Sequence, residues 1–278
     1  MDMKIDAHQH FWKYSADQYG WINDELSALQ RDFLPSDLKP LLDAEQFEGS
    51  IAVQARQDAE ETEWLLEVAG QHDFIKGVVG WVDLCSPDVG ADLERLARKP
   101  KFVGVRHVLQ DEPDQEFMLR VDFKRGIGML AQHRLTYDLL LYPRHLPVAV
   151  KLVAAFPEQQ FVLDHIAKPL IAEGLVEPWD RGIRALAEFD NVWCKVSGMV
   201  TEARWKEWEL ADFRPYLDVV FEAFGPERLM IGSDWPVCTV SASYTATMGI
   251  VQEYMQQLDA DVQEGILGEN CARFYAVE

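Results

Sequence analysis

The chain has 278 residues, long for an ordinary domain and ordinary for an α/β barrel. It carries 47 acids against 26 bases, a formal charge of −21, which disfavours nucleic acid and anionic membrane surfaces as partners and favours a small, largely neutral molecule. With 48% hydrophobic residues there is material for a large core. The start MDMKID lacks a leader pattern, no apolar run approaches the roughly 18 residues of a membrane span, and the four scattered cysteines form no CxxC, so a cytoplasmic protein with reduced thiols is expected.

Eight short apolar runs succeed one another along the chain: KIDAHQ (4–9), SIAVQA (50–55), IKGVVGWV (75–82), FVGVRH (102–107), LTYDLLL (135–141), QFVLDHI (160–166), NVWCKVS (191–197) and RLMIGSD (228–234). Their near-continuous apolarity is that of strands buried on both faces. Helical patterns separate them. Asp58 and Glu61 suit a capping box, followed by an apolar face of Trp64, Leu65, Val68 and Ala69. Val89, Leu93 and Leu96 recur at helical spacing, as do Met248, Val251, Met255 and Leu258. Eight strand–helix units predict a single-domain (β/α)8 TIM barrel over residues 1–278, with a doubly wound sheet as the alternative. Gly126 and Gly128 match part of a dinucleotide fingerprint, but no buried strand precedes them, so close packing is expected there instead.

In such a barrel the active site lies at the C-terminal strand ends, and polar residues gather there: His8, His10, Gln54, Arg106, His107, Asp164, His165, Lys195, Ser197 and Asp234. Polar groups ending apolar strands are costly to bury without partners, and convergence from so many strands points to a site. On a strand His8 and His10 share a face, about 7 Å apart along the backbone, and two imidazoles so placed suit a metal ion or a polar ligand. Asp234, between Gly232 and Trp235-Pro236, suits either a helix cap or a carboxylate held at the barrel mouth. Asp164 suits a partner that orients an imidazole. Trp12 and Trp235 offer either core packing or flat faces for a sugar ring.

HQHFW, LDHIAKP and GSDWP, with His8-x-His10 on the first strand, His165 on the sixth and Asp234 on the eighth, resemble the amidohydrolase superfamily, and within it the branch of sugar-lactone hydrolases acting on L-fucono- or L-rhamnono-type lactones. The resemblance spans nearly the whole chain. It departs from the superfamily's two-metal members, which use a lysine on the fourth strand and a histidine on the fifth; GVRH and LTYDLLL supply neither. The resemblance therefore implies at most one divalent ion, zinc, held by His8, His10 and Asp234, or a site that works without metal. It implies a hydrolase with Asp234 as general base, His10 and His165 beside it, and Trp12, Gln54, Arg106, His107, Asp164 and Trp235 contacting substrate. The expected partner is a small sugar lactone, and self-association into a homo-oligomer stays open. A metal-dependent decarboxylase or amide hydrolase, or a non-catalytic sugar-binding barrel, is the alternative reading.

Overall fold

A computed structural model describes residues 3–278; Met1 and Asp2, part of the segment read for a leader, lie outside it. Eight parallel strands follow one another in sequence order: β1 (Ile5–Gln9), β2 (Gly49–Val53), β3 (Ile75–Gly80), β4 (Phe102–His107), β5 (Thr136–Leu139), β6 (Phe161–Leu163), β7 (Val192–Val196) and β8 (Leu229–Ile231). The order never reverses, which rules out the doubly wound sheet. The ends of the sheet meet: His10 N donates to Trp235 O at 2.7 Å and Asp234 N donates to His8 O at 2.8 Å. The seam that closes the barrel thus joins the two segments carrying HxH and SDWP.

Helices pack outside, including α1 (Pro35–Ala44), α2 (Ala59–Gln71), α3 (Val89–Ala97), α4 (Val121–Leu130), α5 (Leu146–Ala154), α6 (Trp179–Ala187), α7 (Leu210–Phe224) and α8 (Tyr244–Met255). Their apolar periods face the sheet; Leu65, Ala69, Leu93, Leu96, Met248 and Val251 are buried. In α4, a Cβ on Gly126 would stand 2.4 Å from the carbonyl oxygen of Leu84, so that glycine serves close packing and no nucleotide. Asp58 caps α2 through the amide of Glu60, but Glu61 does not complete the capping box. Its buried carboxylate instead accepts from the amides of Ala55 and Arg56, each at 2.9 Å, and from Tyr19 Oη at 2.9 Å. That fastens the long β1–α1 connection to the end of β2. No helix among the described residues is long and apolar enough to cross a membrane.

A layer of Ile5, Ala7, Ile51, Val53, Val79, Val162 and Met230 forms one apolar cluster with Tyr275 from the C-terminal segment. The β1–β2 register slips between Asp6 and Gln9. This irregularity breaks strict alternation: Ala7 joins that cluster, and His8 next to it also turns inward, toward Lys195 and Arg106. Asp6 turns the other way and meets Tyr244 of α8.

Candidate active site

Strand ends around the barrel and the turns after them build the site. His10 is oriented by its own strand neighbour: its Nδ1 lies 2.8 Å from Val53 O, and a carbonyl only accepts, so Nδ1 carries the proton and Nε2 presents a lone pair. His8 Nε2 stands 3.2 Å from that atom. Asp234 Oδ1 lies 3.3 Å from His10 Nε2, 3.9 Å from His8 Nε2 and 3.8 Å from His165 Nε2. The carboxylate therefore faces three imidazoles at once.

Backbone shape places Asp234 and His165. Asp234 has φ of 56°, outside strand geometry, after β8 has ended at Ile231. Asp6 holds that turn by accepting from Ser233 N at 2.9 Å and Ser233 Oγ at 2.6 Å; burial pushes the Asp6 carboxyl up to about 6. Strand β6 stops at Leu163, earlier than its apolar run suggests. His165, Ile166, Ala167 and Lys168 then all adopt positive φ, from 47° to 59°. Left-handed geometry costs an L-residue roughly 1–2 kcal/mol, and Ile166 is β-branched, so this turn is a strained device. It brings both His165 and Lys168 to the cavity wall. Ser197 Oγ, 2.9 Å from His165 Nδ1, fixes the ring, and Gly198 (φ 62°) leaves room for it: a Cβ there would lie 2.5 Å from Nδ1.

Beneath the imidazoles lies a charged layer. Arg106 Nη1 lies 3.0 Å from Asp164 Oδ2 and 3.2 Å from His8 Nε2, and Nη2 donates to Gln54 Oε1 at 3.0 Å. Lys195, fully buried, lies 2.5 Å from Asp138 Oδ2, 3.1 Å from Asp164 Oδ1 and 3.3 Å from His8 Nδ1. Tyr275 Oη donates to Asp138 Oδ2 at 2.8 Å, tying the C-terminal segment into this layer.

Electrostatics follow from burial and pairing. For Asp234, burial opposes the charge, but the imidazoles of His165, His10 and His8 outweigh it and hold the carboxyl below the usual range. Burial likewise opposes the charge of Asp164, which Lys195, His8 and Arg106 nevertheless hold well below that range. Burial pushes His165 down to about 4, against the pull of Asp234 and Asp164. It pushes His8 well down too, against Asp164. Asp138 is pushed up to about 6 by burial despite Lys195. The resulting centre sets ionised carboxylates beside His8 and His165, whose charged forms burial disfavours.

A cavity of about 320 Å³ opens over this centre, lined by His10, Arg106, His165, Lys168 and Asp234 on its polar side and by Trp21, Ala55, Val108, Leu140 and Val237 elsewhere. The other residues singled out in the sequence fall below or beside it. Gln54 and Asp164 are fully buried and grip Arg106. His107 packs on Phe117, with Nε2 2.7 Å from Glu112 Oε1. Trp12 and Trp235 do not offer the sugar-stacking face expected of them. Trp12 is wholly buried, with Nε1 donating to Arg31 O at 2.9 Å, and Trp235 packs edge-on against Phe11 and Phe33. Both lie where the β1–α1 connection folds back on the barrel, so they build its support. Trp21, from that same connection, reaches the cavity instead, with 38% of its surface exposed.

Sequence reasoning assigned no role to Lys195, Asp138 or Asp6. A signal was there: each is a lone charge inside an apolar run, and a buried charge needs a partner of opposite sign. Lys195 on the seventh strand and Asp138 on the fifth are such a pair.

The donor set suits one divalent cation. His8 Nε2, His10 Nε2 and Asp234 Oδ1 are 3.2 to 3.9 Å apart, close to the roughly 3.3 Å that separates ligands standing about 2.0 Å from a tetrahedral zinc. The His10 lone pair and the Asp234 carboxylate face each other with no proton assigned between them, an arrangement that a cation relieves.

Comparison with known proteins identifies relatives of the whole chain. The amidohydrolase family profile matches residues 5–277. An L-fucono-1,5-lactonase of Burkholderia multivorans is 41% identical over 288 residues, covering 99% of this chain and 96% of that protein. One of Burkholderia ambifaria is 38% identical over 282 residues, covering 100% and 97%. The crystal structure of a Burkholderia multivorans amidohydrolase with bound zinc superposes with a TM-score of 0.96 at 41% identity, covering 99% of this chain and 100% of that one. With the eight-stranded barrel, the match over nearly its full length and relatives at this identity, the chain belongs to the amidohydrolase family.

Proposed function

We propose that the chain hydrolyses the 1,5-lactone of a sugar acid, L-fucono-1,5-lactone or a close stereochemical relative, to the open-chain acid. The observation that carries this reading is Asp234: a carboxylate kept ionised at the cavity wall, within 3.9 Å of three imidazole nitrogens. Full-length relatives named as L-fucono-1,5-lactonases support the same substrate class.

Asp234 accepts a proton from a water as that water's oxygen attacks the lactone carbonyl carbon. Negative charge develops on the carbonyl oxygen. Arg106 and Lys168, two of the cations lining the cavity, stabilise it. The carbon–ring-oxygen bond then breaks, and Asp234 returns the proton to the departing alkoxide. His10 and His165, each held by a partner on its Nδ1, keep the carboxylate and water in line. Gln54 and Asp164 act through Arg106 rather than on substrate. His8, His10 and Asp234 would hold a single zinc ion, which when bound polarises the carbonyl and acidifies water. The lactone is an activated ester, and the chemistry asked of the residues themselves is modest.

Aldonolactones and amide substrates offered to the protein with and without chelator, followed by acid release at constant pH, test the reading. Turnover of 1,5-lactones of six-carbon and 6-deoxy sugars is expected. Turnover of amides or carboxylic acids with no lactone opened would overturn it.

A further inference from the structure

We propose that Arg106 and a divalent cation compete for the same lone pair on His8, so that Arg106 sets how tightly the site holds metal. A guanidinium only donates. His8 Nε2, 3.2 Å from Arg106 Nη1, is therefore the acceptor of that pair. The opposite nitrogen, Nδ1, lies 3.3 Å from Asp164 Oδ1 and 3.3 Å from Lys195 Nζ; the Lys195 ammonium is paired with Asp138 and Asp164, which leaves Nδ1 to carry the proton toward Asp164. An imidazole nitrogen has one lone pair in the ring plane. It serves Arg106 or a metal, not both.

Arg106 is built into this position. It is 3% exposed, paired with Asp164 Oδ2 at 3.0 Å, and its Nη2 lies 2.5 Å from Gln54 O and 3.0 Å from Gln54 Oε1. A dipositive ion entering between His8, His10 and Asp234 must displace or repel a guanidinium anchored on three sides, with Lys195 Nζ 3.3 Å from the opposite nitrogen of His8, Nδ1. Two fixed cations beside one ligand lower its affinity for a third. His10 bears less of this burden: among the described residues, its Nε2 is paired with His8 and Asp234, neither of which is a fixed cation. The two histidines of the HxH pair are thus unequal: His10 is free to bind metal, and His8 is already engaged.

Metal-free protein titrated with zinc against a chromogenic chelator tests this without any substrate, so its outcome is separate from that of the lactonase reading. Arg106→Gln removes the charge while keeping a donor toward Asp164, and at least tenfold tighter zinc binding is expected. Gln54→Ala leaves Asp164 paired and loosens only one side of the guanidinium; about threefold tighter binding is expected. Circular dichroism and Tm of the metal-free proteins establish folding, and should Arg106→Gln fail to fold, Gln54→Ala decides. Zinc affinity unchanged or weaker in a folded variant would overturn the proposal.

Discussion

His10 Nε2 and Asp234 Oδ1 lie 3.3 Å apart across the seam where the first strand meets the segment after the eighth. The hydrogen bonds that close the barrel, from His10 N and from Asp234 N, belong to these same two residues. Closing the fold and bringing this pair together are one event. Anything that slips the register at this seam separates the carboxylate from its imidazoles.

Replacing Asp234 with Asn preserves shape and removes the proposed base. A loss of 10²- to 10⁴-fold in kcat/KM on the best lactone is expected, the usual range for a general base. A loss under about tenfold, roughly 1.4 kcal/mol, in a variant with the wild-type Tm would show that another group takes the proton.

Lys195 balances two buried carboxylates, Asp138 and Asp164. Lys195→Met leaves them beside one another with less counter-charge, and a loss of about 3–5 kcal/mol in urea unfolding is expected. Adding Asp138→Asn should recover part of that loss. Strict additivity of the two single effects would mean that the pair is not coupled.

The tryptophans should separate cleanly. Trp12→Ala opens a hole in the core and should cost about 3–5 kcal/mol of stability. Trp21→Ala, at the cavity lip, should leave stability within about 1 kcal/mol and raise KM for lactones several-fold. If Trp21→Ala leaves KM untouched, the substrate does not reach that side of the cavity.

His165 titrates at about 4 in the fold, against about 6.5 in the unfolded chain. As pH falls between those values the unfolded state takes up a proton that the folded state refuses, so this residue makes the protein less stable toward acid. Asp6 and Asp138, each raised to about 6, work in the opposite direction below that pH. The His165 effect is therefore read as a difference. Between pH 7 and 4.5, His165→Asn should gain about 2–3 kcal/mol relative to wild type in urea unfolding. A constant difference across that range would mean that His165 is not held neutral.

Much of the architecture was legible because buried parallel strands leave an unmistakable composition. Eight apolar runs with helical periods between them gave the barrel, and the polar residues at their ends gave His8, His10, His165 and Asp234. The charged layer was less legible. Lys195 and Asp138 are lone charges inside apolar runs, yet nothing local says that they pair across strands five and seven. For the tryptophans the sequence left two readings open: Trp12 and Trp235 sit next to His10 and Asp234 in sequence and suited either core or substrate, whereas Trp21 comes from a loop whose path depends on Tyr19 meeting Glu61.

The sequence by itself determined the barrel and which side chains gather at its mouth, because strand composition and period are local properties of the chain. Only the tertiary structure decided their state. The slipped register of β1, the left-handed turn after β6 and the contacts that engage His8 with Arg106 and Lys195 arise between segments far apart in the chain. Burial and distance, which set charge and tautomer, exist only once those segments meet.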